Sequence, residues 1–464
     1  MASGCAACDW TDPTHVAPHR LTVTSRRVVT PEGVRPAVIE VSDGKIVRVS
    51  SRDGDADDQG ALDFGDLPIL PGLVDTHVHI NEPGRTDWEG FATASAAALS
   101  GGVTTLVDMP LNSVPVTTTP AALDSKRTAA GRSCRCDYGL WAGLVPANVG
   151  VLAELAGAGA LGFKAFLVDS GIPDFPPVDE TDLRRAMPVI AHLGLPLLVH
   201  AELPGPIAAA TAVGARSSRH SDWASSRPEK GECEAIDLLA ALAFETGCRV
   251  HIVHVSGAAA MARVVAGKLA GAPITAETCP HYLTLSDSEV PAGATEFKCA
   301  PPLRSKADVR ELRGALAGGL IDMVASDHSP CPPDLKASGD FFAAWGGISS
   351  LGLTLSLVWS AFRSDPAGLE RVARWLSTEP ARLAGLAGRK GSLTPGMDAD
   401  FAVFDPGATI EVTPAVLKVR HPVSPYLGRT LRGVVTDTFL RGVHVFSLEG
   451  EVPASSGQWL RPSS

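Results

Sequence analysis

Ile69-Leu70-Pro71-Gly72-Leu73-Val74-Asp75-Thr76-His77-Val78-His79 is an apolar run that ends in two alternate histidines. A short apolar run punctuated by Pro-Gly reads as a buried β-strand. Side chains alternate across a strand, so His77 and His79 share one face. Neutral imidazole suits zinc and its neighbours, and two imidazoles at one strand end make a ligand pair. An isolated His-x-His is more often two loop histidines. The decision rests on whether other strand ends supply the missing ligands.

Outward from that run the pattern repeats. Eight β-rich runs, at 69–77, 103–108, 138–144, 162–168, 196–200, 249–254, 273–277 and 321–326, alternate with Ala/Leu-rich segments of helical period such as 93–100, 120–130, 182–192 and 233–246. Eight β/α units predict an α/β fold of the (β/α)8 TIM-barrel kind over residues 69–388. An open doubly wound sheet is the alternative. No dinucleotide glycine fingerprint and no phosphate-binding loop follows the first run, which weakens its nucleotide-binding versions.

The flanks read differently. Residues 1–18 are polar and without pattern, a disordered tail. Residues 19–68 alternate, and Asp43-Gly44 between two alternating runs is a hairpin signal. Residues 389–464 repeat the style in 401–404, 433–436 and 443–446. Both ends are expected to build one small β-sandwich domain, with the barrel inserted between them.

Composition narrows the function. The chain has 464 residues, 45% hydrophobic and 20% charged, which is globular. A net charge of −11 argues against nucleic acid and anionic membranes as partners. Nine cysteines at irregular spacing make no disulfide framework, and Cys5-x-x-Cys8 has no second pair at zinc-ribbon spacing. No apolar run reaches about 18 residues, and no basic-then-apolar leader opens the chain. The expectation is a cytoplasmic protein whose partner is a small molecule.

Active sites of such barrels lie at the C-terminal ends of the strands. Those ends carry His77 and His79, Lys164 within Gly162-Phe163-Lys164-Ala165-Phe166, His200, His254, and Asp327 within Val324-Ala325-Ser326-Asp327-His328. Each alone has an ordinary reading, as a hydrogen-bonded histidine or a helix cap. A lysine inside an apolar strand is harder to dismiss, because its burial is costly without a partner. The set is too large for one tetrahedral ion and suits two divalent metals. An ammonium has no lone pair to donate. If the neutral amine adds carbon dioxide, the carbamate is anionic and has two oxygens for two metals roughly 3.5–4 Å apart.

These motifs resemble the cyclic amidohydrolase family, which includes dihydroorotases, dihydropyrimidinases (hydantoinases) and allantoinases. The likeness runs from about Leu21 to Phe446, and Gly72 to His79 is its first metal motif. The resemblance implies two divalent metals, zinc or else cobalt, manganese or iron, and a carboxylated Lys164. It implies that one metal takes His77, His79, Lys164 and Asp327, and the other Lys164, His200 and His254. It implies Asp327 and Lys164 as the catalytic residues. A hydroxide bridging the metals attacks the ring carbonyl while Asp327 manages the proton. A homotetramer is the assembly it implies.

The loops at 80–90, 109–113, 277–283, 326–331 and 344–349 most resemble the allantoinase branch, which opens the hydantoin ring of allantoin to allantoate. Dihydroorotases carry an arginine two residues beyond the second metal histidine, where it grips a carboxylate; this chain has Asn81. A neutral amide suits an uncharged ureide ring. Arg85 is a candidate replacement for the missing arginine, although a shifted guanidinium seldom reproduces a bidentate contact. Asn81, Asn112 and Ser329 are the expected substrate-binding residues. His251 is expected to face outward; His281 and His328 are candidates to support the metal ligands, with plain structural roles the equal alternative. Ser350-Leu351-Gly352 departs from the Gly-Leu-Gln expected near the pocket. A hydantoinase-like or dihydroorotase-like amidase, and a scaffold without activity, are the remaining alternatives.

Overall fold

The computed structural model describes residues 20–52, 60–212, 215–365, 368–450, 452 and 455–462. The tail expected at 1–18, with Cys5 and Cys8, lies outside the described residues. All eight β-rich runs contain parallel strands. Leu73–Val78, Val103–Asp108 and Asp137–Leu140 form one sheet; Ala142–Gly143, Phe163–Phe166, Leu197–His200, Val250–Ile252, Ile274–Thr278 and Met323–Val324 form another, each strand beside its sequence neighbour. The third run spans both sheets, interrupted only at Trp141. An isolated parallel bridge pairs Val78 with His328, and His79 N donates to His328 O at 2.8 Å, so the first run also meets the last.

Helices follow the runs, and their caps explain their starts. Thr119 caps Pro120–Ser133 by accepting from Ala122 N, with proline at the first turn. Asp179 and Asp182 form a capping box at Glu180–His192. Helices Phe91–Ser100 and Glu229–Thr246 begin two and four residues before the expected starts at 93 and 233. Neither has a side-chain cap, so no sequence signal marks these ends.

The termini do meet, in a single eight-stranded mixed sheet. Its order is Val443–Ser447, Thr430–Leu440, Phe401–Glu411, Ile69–Pro71, Arg20–Thr30, Gly33–Ser42 and Lys45–Ser51, with Leu62–Asp63 paired beside Arg20–Thr30. The hairpin turn is as expected: Asp43 at φ 51° and Gly44 at φ 78° give the positive angles of a two-residue turn. A core of Val23, Ile39, Ile69, Phe401 and Phe439 packs against this sheet.

One expectation is corrected here. The run at 69–77 is two strands, not one. Ile69–Pro71 lies between the N-terminal and C-terminal halves of the mixed sheet, and Leu73–Val78 begins the parallel set. The chain changes sheets at Gly72, whose N–H donates to Asp400 O at 2.8 Å. A Cβ at Gly72 would lie 2.3 Å from Thr104 Oγ1 and 2.8 Å from Asp400 Cβ, so only glycine permits this close approach.

No helix among the described residues is long and apolar enough to cross a membrane. The seven described cysteines are all free thiols.

Candidate metal centre

His77, His79, Lys164, His200, His254 and Asp327 all line one cavity of about 400 Å³ at the C-terminal ends of the parallel strands. His77 Nε2 lies 3.2 Å and His79 Nε2 3.5 Å from Asp327 Oδ1. The His77 and His254 ring centroids are 5.6 Å apart, and those of His200 and His254 4.6 Å. Phe166, opposite His200 in register, stacks on its imidazole at 4.7 Å. The backbone is strained where two of the candidate ligands turn inward: His254 has φ 45° and Asp327 φ 46°, the left-handed region that L-residues seldom occupy.

Each of three imidazoles is aimed through its other nitrogen. His77 Nδ1 donates to Glu277 Oε1 at 2.5 Å, His79 Nδ1 to Leu111 O at 3.0 Å, and His200 Nε2 to Glu202 Oε2 at 2.7 Å. Such partners set the tautomer and orientation of a ligand histidine. Glu277 and Glu202 were not found as site residues from sequence. Glu277 stands in the interior of a strand and Glu202 in a loop, and neither position carries a signal of its own. Arg227 in turn holds Glu202 with two hydrogen bonds, at 3.1 and 2.5 Å.

His251 faces inward, contrary to expectation. Its Nε2 donates to Glu277 Oε2 at 3.1 Å and its Nδ1 accepts from the Thr275 hydroxyl at 2.8 Å. The outward reading assumed alternation from His251 to His254. The strand ends at Ile252 and the positive φ of His254 resets the direction of that side chain. His281 is fully buried, and neither ring nitrogen has a hydrogen-bond partner among the described residues. With Cys279 it comes within 4.8 Å of the Asp327 carboxylate, yet neither lines the cavity. His328 Nδ1 accepts from Ser350 N at 3.3 Å.

The electrostatics favour metal ligation. Burial pushes the imidazolium forms of His77, His200 and His254 down in pKa, so their rings are neutral. Burial also lowers Lys164 to about 8, against the opposing charges of Glu277 and Asp327. Burial works against the Asp327 carboxylate, but His77, a hydrogen bond from His79 and the nearby His254 outweigh it and keep the group ionised. Glu277 is similarly held at about 2, burial being outweighed by His77 and His251.

The donor set fits a pair of divalent ions. Lys164 Nζ is wholly buried, makes no hydrogen bond among the described residues, and sits 4.9 Å from the Phe166 ring centroid. His254 Nδ1 is likewise buried without a partner among the described residues. Buried polar groups left unpaired are costly, and here they flank neutral imidazoles and one carboxylate around a common space.

Of the expected substrate contacts, Asn112 and Ser329 line the cavity and Asn81 does not. Asn81 is fully buried behind Asn112: its Oδ1 accepts from Asn112 Nδ2 at 3.1 Å and its Nδ2 donates to Pro330 O at 3.3 Å. Asn81 has φ 67°, which turns its side chain away from the cavity face. Arg85 stacks 4.8 Å from the Trp88 ring centroid and also stays off the cavity. Trp88 meets Trp345 edge-on at 5.1 Å, and Trp345 is a wall of the site. The divergent residues 350–352 touch His328 and the end of helix Phe91–Ser100 rather than the cavity. Of the remaining walls, residues 344–347 belong to the loop whose family motif was read from sequence, whereas Trp223 on helix His220–Ser226, Arg227, Lys298, Phe342 and Ala343 were not singled out.

A second cavity of about 270 Å³ opens beside Pro196, Val250, Ile274 and Met323, at the N-terminal ends of the strands. That end of such folds carries stability rather than chemistry.

The match to the amidohydrolase family covers residues 69–445. An allantoinase from Streptomyces avermitilis is 49% identical over 441 residues, covering 95% of this chain and 98% of the relative. An allantoinase from Saccharomyces cerevisiae is 42% identical over 384 residues, covering 82% and 83%. Among solved structures, an L-hydantoinase (dihydropyrimidinase) from Arthrobacter aurescens superposes with a TM-score of 0.88 at 31% identity, covering 95% of this chain and 99% of that one.

Proposed function

The chain belongs to the amidohydrolase family, and from that membership we propose that it hydrolyses the hydantoin ring of allantoin to allantoate. It is a hydrolase acting on a cyclic amide. The observation that carries the choice of ring is a contrast in similarity. The chain is 49% identical to an allantoinase across nearly its whole length, but 31% identical to a hydantoinase of the same fold. Fold alone does not select among these rings, since one scaffold serves several substrates.

In this reading His77, His79, Lys164 and Asp327 hold one divalent ion, and Lys164, His200 and His254 the other. Zinc, cobalt, manganese and iron all suit this donor set. When bound, such a pair polarises the scissile carbonyl and makes water a strong nucleophile near neutral pH. Lys164 joins as a carbamate. Its amine, lowered to about 8 by burial, is partly neutral under ordinary conditions, adds carbon dioxide and releases one proton. Asp327 takes a proton from the attacking water and returns it to the departing ring nitrogen, so the ring carbonyl carbon ends as a carboxyl group. Asn112 and Ser329 hold the ring by hydrogen bonds, and Asn81 orients Asn112 from behind.

The same reading closes the eight parallel runs into a (β/α)8 barrel, supported by the bridge from Val78 to His328. It folds the terminal sheet over its own apolar core as a sandwich. A cytoplasmic homotetramer completes it. The test is a comparison of kcat/KM for allantoin, hydantoin and dihydrouracil with metal-loaded enzyme. Allantoin is expected to lead; preference for dihydrouracil would overturn the assignment.

A further inference from the structure

The cavity also has a cationic, aromatic wall that the ring-opening chemistry does not use. Arg227 directly follows helix His220–Ser226. Its Nε and Nη2 are spent on the Glu202 carboxylate, at 3.1 and 2.5 Å. Its backbone carbonyl accepts from Arg304 Nη1 at 2.8 Å, and its guanidinium carbon lies 5.3 Å from the Trp223 ring centroid. On the same indole, Lys298 Nζ sits 4.2 Å from the centroid, held by Ala344 O at 2.5 Å. Arg227, Trp223 and Lys298 all line the cavity. Among the described residues nothing accepts a hydrogen bond from Arg227 Nη1, and the Arg227 side chain lines the cavity.

The guanidinium is therefore held by Glu202 and by the Trp223 indole, and keeps one NH₂ group, with two donors, for a ligand. Its fixed position also fits one part of one substrate. Asn112 follows the second run and Ser329 the eighth, on either side of the run that ends in His77 and His79. Glu202 and Arg227 follow the fifth run, four steps along the strand order. A ring gripped at Asn112 and Ser329 directs a substituent away from them, towards the fifth run. A ureido substituent is planar and neutral, with a strongly accepting carbonyl. It suits an unpaired NH₂ donor beside an indole face.

We propose that Arg227 is a specificity-determining residue whose Nη1 donates to the carbonyl of the substrate's ureido arm, with Trp223 forming the surface on which that arm lies. This rests on the reading of allantoin as substrate. It deepens that reading, because it assigns the arm and the ring to different walls.

The test is Arg227→Lys in the metal-loaded full-length enzyme. Lysine keeps a positive charge for Glu202 but loses the fixed NH₂ fork. Two quantities are read: kcat/KM for allantoin, and the inhibition constant of hydantoin, the same ring without the arm, competing against it. Losing a hydrogen bond to a charged donor is expected to lower kcat/KM for allantoin about 10- to 100-fold. The hydantoin constant is expected to stay within about two-fold, since its contacts lie elsewhere. Equal losses for both compounds would overturn the proposal and leave Arg227 as a support for Glu202 and His200. No loss for either would overturn it too. A wild-type enzyme that does not open allantoin would instead refute the underlying substrate assignment, which separates the two failures.

Discussion

Glu277 touches no cavity surface, yet it decides what His77 can do. By accepting from Nδ1 it leaves Nε2 as the free lone pair, and by accepting from His251 it is itself held in place. Glu277→Gln is expected to lower metal affinity about 10- to 100-fold, read as faster metal loss to a chelator at neutral pH. Asp327→Asn keeps the size of the side chain but removes the proton acceptor. It is expected to lower kcat about 100- to 10,000-fold at saturating metal, with a smaller change in KM. At this scale the candidate ligands were legible because histidine, lysine and aspartate at strand ends are unusual there. Their supports were not, because Glu202 and Glu277 look like any other carboxylates until the strands are side by side. Asn81 shows the same limit: its type suited a neutral ring, but only its left-handed backbone reveals that it serves Asn112.

Two elements do more than their sequence advertises. Gly72 lets one apolar run feed two sheets. Gly72→Ala is expected to cost about 1–3 kcal/mol by forcing a methyl group against Thr104 and Asp400, read by denaturant unfolding. The segment 342–347 forms a cavity wall without regular structure, held by two buried lysines. Lys298 Nζ donates to Ala344 O at 2.5 Å, and Lys336 Nζ to Thr295, Trp345 and Gly347 carbonyls at 3.3, 3.0 and 2.9 Å. Lys336→Met removes the ammonium donor from the Trp345 and Gly347 carbonyls, while Thr295 O keeps Lys298 N. It is expected to cost about 2–3 kcal/mol and to raise KM for substrate more than it lowers kcat, because the wall loosens while the metal ligands stay. The eight β/α runs could be read from periodicity and length, whereas an irregular loop pinned by ammonium groups leaves no periodic trace.

The whole molecule is joined at Lys390. Its ammonium reaches Asp137, at the start of a parallel strand, at 2.6 Å, and Asp398 and Asp400, beside the terminal sheet, at 2.8 and 2.6 Å. These three carboxylates are grouped closely enough to suggest a cation site, and the lysine is the cation. Burial would raise the Asp398 carboxyl, but Lys390 and a hydrogen bond from Lys45 outweigh it and hold the group at about 2. A depressed folded-state pKa means this stabilisation is present above the ordinary value near 3.8 and is lost as pH falls towards 2. Lys390→Met is expected to cost about 3–5 kcal/mol near neutrality, because it removes the one cation shared by three buried carboxylates, although Asp137 keeps Arg441 and Asp398 keeps Lys45 and Arg389. The penalty should shrink below about pH 4 as those carboxyls protonate, read by urea unfolding across pH. The order of elements, the candidate ligands at the strand ends and the kinship to cyclic amidohydrolases were determined by sequence alone, because periodicity, turn chemistry and motif spacing are local and survive in one dimension. Only the tertiary structure decided which strands of the two ends meet, which carboxylates aim the histidines, and which loop side chains line the cavity. Those are contacts between residues up to hundreds of positions apart, and they exist only once the chain has closed on itself.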